Sequence, residues 1–174
     1  AETLARYGDA VFLRDRDIAR DLLDRPGRIP FVQRFGAWLY NFWTDGAHPR
    51  GLWRRVDEAG YRAAVPDWEI LLDLDSLAAT EGEDWVWAGA AILKGDLDRA
   101  LVRLSRGGKD AAVIREFDLD TRTFMADGFV LPEGKGGATW LDRDTVLLSS
   151  ALGPGMATRS GYARTVRLWP RGTD

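Results

Sequence analysis

Few residues in this chain could break a bond, and their spacing decides which chemistry is open to them. Leu104-Ser105-Arg106-Gly107-Gly108 carries the serine and paired glycines of the second half of a Gly-x-Ser-x-Gly-Gly nucleophile elbow, the turn that presents a serine for acyl transfer. Position 103 is Arg, where a sharp strand-to-helix elbow needs Gly so that the backbone can pass closely, and a β-type run follows where a helix is required. The segment therefore reads as a hairpin turn. A Ser-His-acid triad also needs a histidine after the serine in that motif's chain order, and the one His of the sequence, His48, comes before it. No catalytic residue is assigned.

Metal chemistry fares no better. One His and no Cys cannot supply the three or four ligands of a zinc site. The pairs Asp73/Asp75, Asp118/Asp120 and Asp142/Asp144 fall at predicted strand ends, where Asp caps turns, and a calcium loop needs a longer run of oxygen ligands. No metal and no cofactor is expected. Arg50-Gly51-Leu52-Trp53-Arg54-Arg55 has the basic and aromatic character of a nucleic-acid patch, but its alternation is equally that of a strand with two different faces. The net charge of −3 gives no long-range attraction for phosphate backbones, so nucleic acid is not an expected partner.

The elements that must hold these residues follow from composition and punctuation. A length of 174 residues suits one domain burying roughly 70% of its unfolded surface. No apolar run approaches the roughly 18 residues that span a bilayer, and no membrane partner is expected. The lack of cysteine fits a cytoplasmic protein and admits a periplasmic one, and any targeting segment would lie upstream of Ala1. Eight tryptophans are the compositional outlier, and they read as packing residues between stacked sheets.

The opening segment has a helical period. Ile18, Ala19, Leu22 and Leu23 share a face, Asp15 and Asp17 are placed to favour the positive end of the dipole, and Arg25-Pro26-Gly27 provides the stop. From Arg28 onward short β-type runs alternate with Gly, Asp and Pro. Strands are predicted at 29–33, 38–43, 52–56, 68–73, 86–93, 100–104, 112–117, 138–141, 146–149 and 163–169, with one helical turn between Asp73 and Asp84 capped by Ser76 or Asp75. Gly36-Ala37, Gly89-Ala90 and Gly137-Ala138 each lead an apolar run at a spacing of about 50 residues, the period of a propeller blade. Three blades cannot close a ring, so the chain reads as a sector of something larger.

Several stretches carry a family resemblance in order and spacing: Tyr40-Asn41-Phe42-Trp43, Arg50 to Arg55, Trp68-Glu69-Ile70-Leu71-Leu72-Asp73, Trp85-Val86-Trp87, Leu104 to Asp110, Arg115-Glu116-Phe117-Asp118, Gly128 to Glu133, Trp140-Leu141-Asp142 and Val166-Arg167-Leu168-Trp169. Together they resemble the propeller of bacterial prolyl oligopeptidase-family serine peptidases. The resemblance implies a mainly β fold: a partial β-propeller of about three four-stranded antiparallel blades at 28–75, 84–127 and 128–172, preceded by a helical extension over 1–27. It implies that later blades and an α/β-hydrolase domain with the triad lie outside this chain, and that the whole cleaves short peptides after proline. In animal-type members a Phe in the loop before the third blade reaches toward substrate, and the matching place here is near Lys135. A cationic Lys cannot make that apolar contact. Glu133, Lys135 and Arg50 are the candidates for substrate or domain-interface contacts, against the plainer reading of a solvated loop. The competing class is a non-enzymatic β module that binds through open strand edges, which also predicts self-association.

Overall fold

The computed structural model describes residues 8–23 and 30–173. Helix α1 (Ala10–Leu23) starts at Asp9, whose carboxylate accepts the Phe12 N–H at 2.8 Å. Asp15 and Asp17, expected in the first turn, fall mid-helix, each bonded to the Arg before it. The stop expected at Arg25-Pro26-Gly27 lies outside the described residues. No helix among the described residues is long and apolar enough to cross a membrane.

The remainder forms three antiparallel sheets met in chain order, the partial propeller expected. The first is β1 (Gln33–Phe35), β2 (Trp38–Trp43), β3 (Leu52–Asp57) and β4 (Glu69–Asp73), with the four-residue α2 (Glu58–Tyr61) between the last two. Helix α3 (Leu74–Glu81) leads to the second sheet, β5 (Trp85–Ile92), β6 (Arg99–Arg106) and β7 (Ala112–Asp118). Its outer strand comes in two pieces: β8 (Thr123–Phe124) pairs with the end of β7 and β9 (Val130–Gly134) with its start. The third sheet is β10 (Gly137–Asp142), β11 (Thr145–Ser149) and β12 (Val166–Pro170).

Four details correct the sequence reading. The first strand sits at Gln33–Phe35 rather than 29–33, downstream of Pro30, which has no N–H to give a ladder. The blade limit expected at 127/128 is displaced because β9 pairs with β7, so the second sheet extends to Gly134 and the third has three strands. Asp73, not Ser76 or Asp75, caps α3: it accepts the Ser76 N–H at 3.0 Å, and Gly82 closes the helix in the left-handed region. The three Gly-Ala pairs are not equivalent. Gly36 turns between β1 and β2, Gly89 sits at a bulge inside β5, and Gly137 opens β10.

The second sheet is covered on both faces at β6, where Ala100, Leu101, Val102, Leu104 and Ser105 are all buried. Val102 and Leu104 face the first sheet, in one cluster with Tyr40, Trp53, Leu72, Trp85 and Phe117. Leu101 faces the third, with Ile114, Phe129, Val146 and Leu148. Tryptophan fills the seams as expected: Trp87 stacks on Phe42 at 5.0 Å and 6°, and the Trp140 indole N–H donates to the Ala91 carbonyl at 2.8 Å. First strands β5 and β10 touch each other, so the second and third sheets approach on the side of their first strands.

Candidate functional site

At one end of the sheets the chain passes from β4 through α3 to β5 and from β9 to β10, and it enters β1 from the same side, since Gln33 pairs with Tyr40. Arg50, Glu133 and Lys135 all lie at this connection end. Antiparallel pairing dictates the placement: every second turn of a meander returns to the same end.

Arg50 is a bridge between the first two sheets. Its backbone N–H donates to the Asp75 carboxylate at 3.1 Å, and its guanidinium reaches Asp84 at 2.7 Å and the Trp85 carbonyl at 3.0 Å. Gly51 beside it has φ 103°, and a Cβ there would lie 2.4 Å from the Phe42 ring, so only glycine lets this loop close over the first sheet. Glu133 accepts from Arg106 at 3.1 Å. Arg106 also forks onto Glu83, two bonds of 2.9 Å each, while lying 4.7 Å above the Trp85 ring. That fork holds the Arg106 guanidinium above its ordinary pKa and the Glu83 carboxyl below its own. Arg50 and the Arg106–Glu133 pair thus meet on opposite parts of Trp85.

Lys135 belongs to a separate cluster. Its ammonium is 3.6 Å from Asp110 and 4.9 Å from the centre of the Tyr162 ring, and the Tyr162 hydroxyl donates to the same Asp110 at 3.0 Å. Tyr162 comes from the long β11–β12 connection, folded back so that the Ala163 N–H donates to the Lys135 carbonyl at 3.0 Å. The sequence reading missed Glu83, Arg106 as a partner of Glu133, and Tyr162. Their partners lie 23 to 52 residues away in the chain, which leaves no local signal.

The remaining candidates resolve as structural groups. Ser105 donates to the Lys109 carbonyl at 2.9 Å, and Gly107 and Gly108 take φ of 65° and 74°, a β6–β7 hairpin rather than an elbow. His48 lies 3.1 Å from Asp45, whose same oxygen accepts the backbone N–H groups of Ala47 and His48, so the pair closes a turn. Asp118 and Asp142 each accept a backbone N–H two residues on at 2.9 Å. Arg54 lies between the rings of Trp43 and Trp68, at 4.7 and 4.3 Å, and burial pushes its pKa down to about 10 against the opposing charge of Asp45. Arg55 pairs with Glu69 at 2.6 Å and covers Trp38. These two arginines pack against aromatic rings of the first sheet and its loops.

Among the described residues, the connection end therefore presents charged side chains on strand ends and their loops: Arg50, Arg106, Glu133 and Lys135. Residues 21–174 match the family model of the prolyl oligopeptidase N-terminal β-propeller domain. An uncharacterized peptidase of Sinorhizobium fredii is 46% identical over 132 residues, covering 76% of this chain and 18% of that protein. An uncharacterized peptidase of Rickettsia prowazekii is 35% identical over 143 residues, covering 78% of the chain and 20% of that protein. The chain thus spans about one fifth of these relatives' length. The solved structure of a post-proline cleaving enzyme from Rickettsia typhi superposes on 97% of the chain with a TM-score of 0.86 at 30% identity, using 26% of that enzyme. Oligopeptidase B from Leishmania major shares the fold at 16% identity and a TM-score of 0.69. By its matched residues and its sheets, the chain belongs to the prolyl oligopeptidase N-terminal β-propeller family.

Proposed function

We propose that this chain is the substrate-gating sector of a larger serine peptidase that cleaves short peptides on the carboxyl side of proline, and that it takes no part in bond breaking. The observation that carries the reading is the likeness to the Rickettsia typhi post-proline cleaving enzyme over nearly the whole chain, at 26% of that enzyme's length. A ring of sheets above an active site leaves a narrow path or a hinge opening, so admission depends on substrate size. The remaining blades seat against β12, whose outer edge is open and whose Val166 and Leu168 are 67% and 62% exposed. The hydrolase domain meets the connection end, with Arg50, Glu133 and Lys135 among the contacts. Helix α1 supports a second docked surface: Val11, Ile18 and Leu22 fall on one side of it, and all three are at least half exposed.

Two measurements test this. The pure chain is expected to leave a proline-containing reporter peptide intact, while the complete gene product cleaves it and is silenced by a serine-directed phosphonate. Cleavage by the chain alone, or none by the complete product, sinks the reading. Light scattering over a dilution series is expected to show the isolated chain self-associating through the β12 edge; a compact monomer at every concentration favours a self-contained fold instead.

A further inference from the structure

Among the described residues the most exposed large apolar side chain is Phe31, at 95%. It borders a cleft of about 350 Å³ between the first and second sheets. Five further rings line that cleft in a continuous row. From Phe42 through Trp87, Trp53 and Tyr40 to Phe35, successive ring centres lie 5.0, 5.3, 5.9 and 5.7 Å apart. The room arises from two short groups in the first strands. β1 has three residues and pairs with β2 only as far as Gln33 and Tyr40, so it covers half of that strand. On β5, Ala90 pairs with Val102, which faces the first sheet, so Ala90 presents no more than a methyl group to the cleft.

The rim and the floor are distinct. Phe31 and Gln33 are exposed and Gly89 and Ala90 half-buried, whereas Tyr40 and Trp53 are buried. The opening therefore lies on the side of the first strands, which in a closed ring is the inside. No described residue of the lining carries a charge. Burial raises the Tyr40 phenol above its ordinary pKa, so that ring stays neutral as well. Asn41 is already satisfied: its amide donates to the Phe31 carbonyl at 2.8 Å, which anchors the rim, and its oxygen accepts from Arg54 at 2.9 Å. An ionised side chain entering the cleft would lose water and gain no counter-charge. A flat apolar ring would meet the faces and edges of other rings.

We propose that this cleft is a side-chain subsite, and that its ligand is a neutral aromatic residue of the peptide held inside the propeller. Its volume falls at the small end of the range for ligand pockets, and its lining has their usual character, apolar and aromatic with few polar groups. Phe31 at the rim closes over the bound ring and gains the burial that it lacks in the free protein. This rests on the peptidase reading above, and it adds a preference for residue type that size gating alone does not produce.

The test uses the complete gene product and one proline-containing octapeptide in which Phe, Ala or Glu is placed at each position in turn, the proline and the residue after it excepted. At one position Phe is expected to exceed Ala in kcat/KM by about tenfold, with Glu no better than Ala. Ala90→Leu extends a side chain into the cleft and is expected to bring that Phe-to-Ala ratio close to one. Phe31→Ala removes an exposed ring at little cost to the fold and is expected to lower the ratio about threefold. Should Ala90→Leu fail to fold, Phe31→Ala decides alone. The absence of a Phe preference at every position overturns the proposal, and so does a preference that the folded variants leave unchanged. If no peptide is cleaved, the peptidase reading fails, and the subsite is then decided by fluorescence anisotropy of the dye-labelled Phe and Ala peptides. Tighter binding of the Phe form that Phe31→Ala weakens sustains it; equal binding overturns it.

Discussion

Trp53→Ala is expected to cost about 3–5 kcal/mol of folding stability, the range for deleting a large aromatic side chain from a packed core. Trp53 is 3% exposed on β3 and lies 5.3 Å from the Trp87 ring, 5.8 Å from Phe117 and 5.9 Å from Tyr40. It is the one ring that touches its own sheet and two strands of the next, so its loss leaves a void in the seam rather than at an edge. Neighbouring strands are held by ladder hydrogen bonds and cannot collapse into that void. Against a total stability of about 5–15 kcal/mol for a domain, the change is a large fraction. Urea unfolding followed by circular dichroism measures it. Trp68→Ala, which removes a ring stacked on Arg54 outside that cluster, serves as the comparison and is expected to cost less. Equal losses for the two variants would show that the seam is not where stability is concentrated.

Glu116→Ala is expected to cost a similar 3–5 kcal/mol for a different reason, the breaking of a buried ion pair from one side. The Glu116 side chain has 0% exposure on β7. Its two oxygens accept from Arg171 at 2.9 and 3.0 Å, and one of them also accepts the Phe129 N–H at 2.9 Å. Arg171 follows β12, 55 residues away, so this carboxylate fastens the end of the third sheet to the middle of the second. Removing it strands a backbone donor and leaves Arg171 and the nearby Arg99 without their shared counter-charge. Glu116→Gln keeps an acceptor for Phe129 and is expected to cost less than Ala. In a double-mutant cycle, Glu116→Ala with Arg171→Ala should fall short of the sum of the single losses by at least about 0.5 kcal/mol. Strict additivity would show that the pair does not act as a unit.

The two variants probe seams of different character. The first seam has an aromatic interior, with Arg50–Asp84 at the connection end and Arg122–Glu69 at the other. The second is crossed by ion pairs at both ends, Lys135–Asp110 at the connection end and Arg143–Asp98 at the other, with Glu116–Arg171 behind them.

The three meanders were legible because each turn carries its own chemistry. Asp45-Gly46, Arg106 to Asp110 and Asp142-Arg143-Asp144 hold residues that tolerate left-handed backbone or accept their own backbone N–H groups, and such signals act over four residues or fewer. The hairpin reading of Ser105 and the capping reading of Asp118 and Asp142 followed from the same locality. The outer strand of the second sheet was not legible. Thr123-Phe124 is only two residues long, and Val130-Leu131 is followed at once by Pro132, so neither piece carries a two-residue period long enough to register. The Gly-Ala spacing pointed to the right architecture through positions that do not correspond, because glycine answered three separate needs: a turn, a bulge and a strand start.

Sequence alone determined the class of this protein: mainly β, organised in successive antiparallel meanders after an N-terminal helix. Those properties depend on residue types and near neighbours, which composition and short spacing expose directly. Tertiary structure alone decided which charges meet. Arg50 lies 34 residues from Asp84, and Glu116 lies 55 from Arg171. Pairing across a seam depends on where a fold brings distant strands together, and a one-dimensional string of alternating charges carries no trace of that distance.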